Sequence, residues 1–184
     1  MNVRQLDCLE GWSLVTEDDI IEFARTLPGV HVMTAGAESG APESAWGDSF
    51  IFYDPDDVEE DRRFPFATIV VSDYEGFDTL SNLNRPNVFR FNIAVGRRKF
   101  EELLGFGPSA HAQHHDEFDY AAADVLLPHP AYATHAWVSI VNPNQLDHQA
   151  KDLLVGAHQL AVKRHRPAKP RSDGTPPEPQ TSEE

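Results

Sequence analysis

The sequence predicts an α+β fold: a single antiparallel sheet of about five strands with helices packed on one face. Three observations carry this. The chain has 184 residues of which 40% are hydrophobic, enough for a single core. Strand-like runs follow one another across short turns instead of alternating with helices, which favours an antiparallel meander. Helical patterns with one apolar stripe open and close the folded part. The expected organisation is an N-terminal extension over residues 1–14, one domain over 15–164 and a tail over 165–184, with no internal repeat.

Thr16 followed by Glu17, Asp18 and Asp19 is an N-cap with acids in the first turn, where the helix dipole favours them. Ile20, Ile21, Ala24 and Leu27 then recur at helical spacing until Pro28-Gly29 stops the helix. Val30 and Val32 alternate as a short strand. A loop rich in glycine and alanine, GAESGAPESAWG, carries Trp46. Ser49–Tyr53 reads as a strand ended by Asp54-Pro55, and the run from Phe66 to Val71 as a third. Val88–Val95 alternates strictly, placing Phe89, Phe91, Ile93 and Val95 on one face and Arg90 and Asn92 on the other.

A helix through Phe100, Leu103 and Leu104 ends at Gly105, and the histidine-rich segment from His111 to Asp124 is expected to be helical in its second half. Ala136–Val141 is the fifth strand. The closing helix runs from about Gln145 to Arg164 with Leu146, Ala150, Leu153, Leu154, Ala157, Leu160 and Ala161 as its stripe. From His165 onward five prolines and scarcely an apolar residue predict a disordered tail.

Charge narrows the function classes. Lys and Arg number 15 against 30 Asp and Glu, a formal charge of −15, and thirteen of the acids lie between Glu17 and Asp61. Such acidity argues against a duplex nucleic-acid binder, which presents a basic stripe to phosphate. Asp54, Asp56 and Asp57 lack the glycine and terminal glutamate of a calcium loop and read as a surface turn. No apolar run approaches the length of a membrane helix and no signal-peptide core stands at the start, so the expected location is the cytoplasm. The one cysteine, Cys8, admits no internal disulfide and has no neighbouring base in sequence.

Strand alternation then picks out a candidate binding face. If helices cover one side of the sheet, Arg90, Asn92, Trp137 and Ser139, with Thr68 or its neighbours, line the other. Such a floor suits a small molecule: Arg for an anion, Asn for an amide or carbonyl, Trp for stacking. Trp46, Asp48, Asp73, Tyr74 and Asp78 lie at strand ends that would rim the same hollow.

The histidine segment supplies a second candidate. On a helix His111, His115 and Asp119 fall at i, i+4 and i+8, a usable ligand set for zinc or non-haem iron, so a divalent metal is the one cofactor the sequence admits. His129 and His135 precede the fifth strand as acid/base candidates. No HExxH, GxSxG or phosphate-binding GK[ST] occurs. Gly105-Phe106-Gly107 follows a helix, not the strand a dinucleotide loop requires.

Five stretches, LPGV at 27–30, WGDSFIFYDP at 46–55, PFATIV at 65–70, DYEGFDTLSNLNRPNVFRFNIAVG at 73–96 and PHPAYATHAWVSIVNP at 128–143, resemble the largely actinobacterial domain of unknown function family 6194. The resemblance runs over about residues 16–163. It implies no activity and no catalytic residue. More distantly, the layout is similar to the YjbR-like domains, for which DNA binding has been discussed by analogy of shape. The −15 charge opposes that here, and Arg97-Arg98-Lys99 is a small basic patch.

The resulting expectation is an accessory domain that binds a small molecule or a protein partner through its open sheet face. The alternative is a metal-dependent or acid/base enzyme built on the His111–Asp119 segment and His129. A homodimer through the same face, or an interaction through the acidic 54–61 loop, completes the set.

Overall fold

A computed structural model describes residues 14–56 and 64–165. The predicted tail beyond His165, Cys8 and Asp57 lie outside the described residues. Within them the α+β expectation holds: six strands form one antiparallel sheet in the order β1-β2-β3-β4-β6-β5. They are β1 (Val30–Thr34), β2 (Ser49–Tyr53), β3 (Ala67–Val70), β4 (Arg90–Ala94), β5 (Leu127–Pro128) and β6 (Trp137–Val141). The helices are α1 (Glu17–Arg25), α2 (Arg97–Leu104), α3 (His111–His114) and α4 (Asp147–Arg164). The strand missing from the sequence reading is β5, two residues long and too short for any periodicity to show.

Helix α1 starts as its acids require. Thr16 Oγ1 accepts from the Asp19 amide at 3.2 Å while the Asp19 carboxylate accepts from the Thr16 amide at 2.8 Å, a reciprocal cap. The entry into helix α4 is held from a distance: the Asp124 carboxylate accepts from the amides of Gln145 and of Leu146, the residue that caps the helix. The second half of α4 is tied to the α1–β1 turn by His158, whose Nε2 lies 2.8 Å from the Pro28 carbonyl.

One face of the sheet carries Ile51, Ala67, Ile69, Phe91, Ile93, Val138 and Ile140, all buried against Ile20, Ile21 and Ala24 of α1, Phe100 of α2, and Leu153, Leu154 and Ala157 of α4. Each large apolar side chain buried there contributes about 1.5–3 kcal/mol to folding. The helices thus occupy one side, as the alternation of β4 requires.

The other side is partitioned. Pairing Val70 with Arg90 and Arg90 with Val141 places these three in one cross-strand row; the next row is Phe50, Thr68, Asn92, Ser139 and Leu127. The long β3–β4 connection folds over the first row, with Leu83 packing on Val70 and Val141. The second row, with Ala94 and Trp137 beyond it, is left without a helix.

The histidine segment differs from expectation. Helix α3 lasts four residues, a 3₁₀ turn follows over His115–Glu117, and Phe118 is extended (φ −111°, ψ 135°). The helix sits in the first half of the segment, where Pro108 at the start of the preceding turn presets the backbone. Residues 118–124, expected to be helical, contain no helix.

Candidate functional site in the open sheet face

The uncovered half of the sheet forms the floor of a cavity of about 890 Å³. Thr68, Asn92, Ala94 and Trp137 lie at its base; Phe50, Asp48, Tyr74, Phe77 and Asp78 line one side, and His129, Tyr132 and His135 the other. Each wall is a tight turn held by polar side chains.

The first wall is the turn Tyr74–Asp78, closed by the Tyr74 amide on the Asp78 carbonyl at 2.9 Å and by the Asp78 amide on the Tyr74 carbonyl at 2.8 Å. Its two ends are anchored separately. The Tyr74 hydroxyl donates to Asp48 Oδ2, while Asp48 Oδ1 accepts from the Val71 amide at 2.9 Å. Asp78 receives Nη1 and Nη2 of Arg90 at 3.2 and 2.6 Å. Asp48 is fully buried, and burial pushes its carboxyl above the ordinary value against the lowering pull of the Tyr74 and Val71 hydrogen bonds and of Arg90. Burial and the neighbouring Asp48 likewise push the Tyr74 hydroxyl well up, so it stays a donor.

Arg90 is 2% exposed. Nε donates to Asn92 Oδ1 at 2.9 Å and Nη1 to Ser81 Oγ at 2.7 Å, and Asn92 passes the chain on through Nδ2 to Thr68 Oγ1 at 3.0 Å. The guanidinium expected to meet an anion is instead paired bidentately with Asp78, a geometry that satisfies a planar fork and leaves the charge neutralised. It is a brace between the sheet and the wall, and it orients Asn92 and Thr68 beneath the cavity.

The second wall starts at His129, whose amide donates to the Trp137 carbonyl at 3.0 Å and so continues the β5–β6 pairing by one residue. His129 is 3% exposed. Nδ1 accepts from the Ala131 and Tyr132 amides, each at 3.1 Å, and so shapes the Pro130–Tyr132 turn. An Nδ1 that accepts twice carries no proton, so the proton of the neutral ring is on Nε2. Burial, then the charges of Arg90 and His111, holds the imidazole well below its usual range, and it is uncharged near neutrality. The chain reaches β6 through a 3₁₀ turn ending at Ala136, which is left-handed at φ 61°. Tyr132 lies across the mouth with its ring centroid 5.9 Å from that of Phe77 on the opposite wall.

Of the residues singled out in the sequence, Asp48, Arg90, Asn92, Trp137, His129 and His135 line this cavity, as do Tyr74 and Asp78. Ser139, in the same row as Asn92, is buried with Oγ 3.5 Å from the Pro128 carbonyl and does not line the cavity. Trp46 is 43% exposed with its Nε1 donated to the Ala41 carbonyl, away from the cavity. His135 is exposed, its Nδ1 3.3 Å from the Thr134 hydroxyl.

The metal set is dispersed. His111 is buried with Nε2 2.8 Å from the Tyr120 hydroxyl, His115 Nδ1 lies 3.1 Å from the Asp116 carboxylate, and Asp119 Oδ1 accepts from the Ala121 amide. Because the helix ends before Asp119, the i+8 position does not share a face with the two histidines. Among the described residues no three His, Cys, Asp or Glu side chains are placed to hold a metal ion.

Sequence reasoning missed Phe50, Phe77 and Tyr132. Phe50 was legible, since its pairing with Thr68 puts it on the same face. Phe77 and Tyr132 sit on turns, where no periodicity reports direction.

A family model described as a family of unknown function, DUF6194, matches residues 15–170. The chain belongs to the DUF6194 family. No curated protein matches it. Among solved structures, the DUF6194 chain is similar to the Deinococcus radiodurans protein DR2400, a DUF419 domain, at 15% identity and a TM-score of 0.48, over 85% of this chain and 84% of that one. Among the described residues of this DUF6194 member, no helix is long and apolar enough to cross a membrane.

Proposed function

We propose that this domain binds a small molecule in the hollow of its open sheet face. The observation that carries the reading is the composition of the floor. Arg90, Asn92 and Thr68 form one hydrogen-bonded chain on adjacent central strands, where apolar side chains would pack at lower cost. A buried polar chain under a cavity of about 890 Å³, walled by aromatic rings, has the make-up of a ligand site: mostly apolar, with a few oriented polar groups. The acid/base alternative loses support at His129, because an imidazole whose Nδ1 is taken by two amides has only a donor to offer.

The test is a fragment screen followed by thermal unfolding and ligand-observed NMR, run on the wild type and on Ala94→Phe. Ala94 is half-buried at the cavity base, so the larger ring fills the hollow without entering the helix-covered core. Fragments that bind the wild type and lose at least tenfold in affinity on Ala94→Phe support the reading; binding indifferent to Ala94→Phe contradicts it.

A second reading, a copy of this chain closing over the same face, is favoured by the exposure of Phe77 at 61% and Tyr132 at 44%. Sedimentation separates the two: a monomer that binds fragments excludes the dimer, and a dimer dissociated by Phe77→Asp establishes it.

A further inference from the structure

Resting on that small-molecule reading, we infer that the hollow selects an uncharged, flat aromatic ring system that presents a hydrogen-bond acceptor on its edge to Nε2–H of His129. Three independent features of the walls lead there.

First, the charges buried in the floor and the Tyr74–Asp78 wall are already spent, and the two other arginines of the lining, Arg97 and Arg164, are exposed to water at its edge. Arg90 is closed by Asp78, and the oxygens of Asp48 are covered by the Val71 amide and the Tyr74 hydroxyl at zero exposure. An ammonium group would find no carboxylate oxygen of Asp48 to reach, and an anion would lie beside two buried carboxylates with no unpaired buried cation to receive it. Either would be stripped of water without compensation.

Second, the polar side-chain atoms left free on the floor and at His129 are able to donate. His129 Nε2 has no hydrogen-bond partner among the described residues, and neither has Trp137 Nε1, which can only donate. Thr68 Oγ1 accepts from Asn92 and keeps its own proton to give. Because Nδ1 of His129 is committed to two backbone amides, the donor at Nε2 is fixed in identity and direction without a charge. That is the arrangement a carbonyl or a heteroaromatic nitrogen requires.

Third, the remaining surface is aromatic. Phe50 and Trp137 lie at the base and side while Phe77 and Tyr132 face each other across the mouth. Phe77 and Tyr132 touch each other, so a flat ring system lies beneath them, against the aromatic faces that line the hollow.

The experiment uses two probes of one shape, quinoline and naphthalene, which differ by a single ring nitrogen, at pH 7.5 where quinoline is neutral. Dissociation constants are read by NMR titration on the full chain, wild type and His129→Phe. The expected result is a ratio of affinities, quinoline over naphthalene, that falls about fivefold on His129→Phe, the scale of one hydrogen bond. A ratio unchanged by the substitution overturns the inference.

Since His129→Phe also removes the acceptor for two turn amides, the wild type labelled with nitrogen-15 at histidine gives a second reading. Quinoline should move the His129 Nε2 resonance and leave that of His111 in place; quinoline bound with His129 Nε2 unmoved overturns the inference. Tighter binding of 2-naphthoate or of 2-naphthylmethylammonium than of quinoline would also overturn it. The two levels separate cleanly. Probes that bind, are blocked by Ala94→Phe and ignore His129 retain the site and refute the ligand class, whereas probes that bind nowhere or ignore Ala94→Phe refute both.

Discussion

Asp78 holds Arg90 with both carboxylate oxygens, and the pair is buried on both sides, 7% and 2% exposed. Asp78 belongs to a surface turn and Arg90 to a central strand, so one ion pair pins the wall of the hollow to its floor. Tyr74, at the other end of the same turn, is pinned in parallel by Asp48, the residue just before β2. The hollow is therefore defined by two polar anchors about one turn apart, and its shape depends on both.

Breaking the ion pair from one side should be costly. Asp78→Asn leaves the guanidinium buried without its counter-charge, and the expected loss is about 3 kcal/mol or more in urea unfolding. The double substitution Asp78→Leu with Arg90→Met removes both charges and should recover most of that loss. A double variant no better than Asp78→Asn would mean that the geometry of the turn, not the charge, is what Asp78 provides.

Tyr74→Phe removes the hydroxyl that covers Asp48 Oδ2 and leaves a buried carboxylate with one donor. The expected destabilisation is about 1–3 kcal/mol. The Asp48 pKa should also rise further, because the Tyr74 hydrogen bond is one of the forces lowering it. Carboxyl carbon NMR titration of the wild type and Tyr74→Phe checks the direction.

Gly47, immediately before Asp48, has φ +93°, and a Cβ there would come within 2.8 Å of Val71 Cγ2. Gly47→Ala combines a strained backbone with a clash against the residue whose amide binds Asp48. A loss of about 1–3 kcal/mol is expected in chemical denaturation, with amide shift changes concentrated at Asp48, Val71 and Tyr74.

The pH dependence of stability follows from two buried histidines. Burial lowers the pKa of His111, helped by the neighbouring His115 and His114, and lowers that of His129 well below 6.5. Below 6.5 the unfolded chain takes up protons that the folded chain refuses, so folding is favoured fully above this value and progressively less as pH falls through it. For His129 the slope approaches about 1.4 kcal/mol per pH unit while the folded ring stays neutral. Asp48 acts in the opposite sense only at lower pH, since its raised pKa lets the folded chain take a proton first above 3.8. Urea unfolding at pH 7.5 and 5.5 should show the loss, and His111→Phe should reduce it without abolishing it.

Where the residues carried a period, the sequence was a good guide. Strict alternation in β4 placed Arg90 and Asn92 opposite Phe91 and Ile93, and that single pattern led to the floor of the hollow. Alternation says which way a side chain points, however, and not what folds back over it. The 71–89 connection buries Arg90 by bringing Asp78 and Ser81 from 12 and 9 residues away, a contact set by the path of the chain. The same limit applied at His111 and Asp119, where a helical period was extended past the point at which the chain leaves the helix. His129 was selected for its chemistry, but its role depends on which ring nitrogen meets the Ala131 and Tyr132 amides, and no spacing encodes that.

The most direct test of the central claim is an amide chemical-shift map of the wild-type chain titrated with quinoline. A ligand site in the hollow predicts perturbations clustered at Thr68, Ala94, His129 and Trp137 and at the Phe77 turn, saturating with a single dissociation constant. Perturbations confined to the His111–Tyr120 segment or the helix-covered side, or none up to millimolar probe, would contradict it.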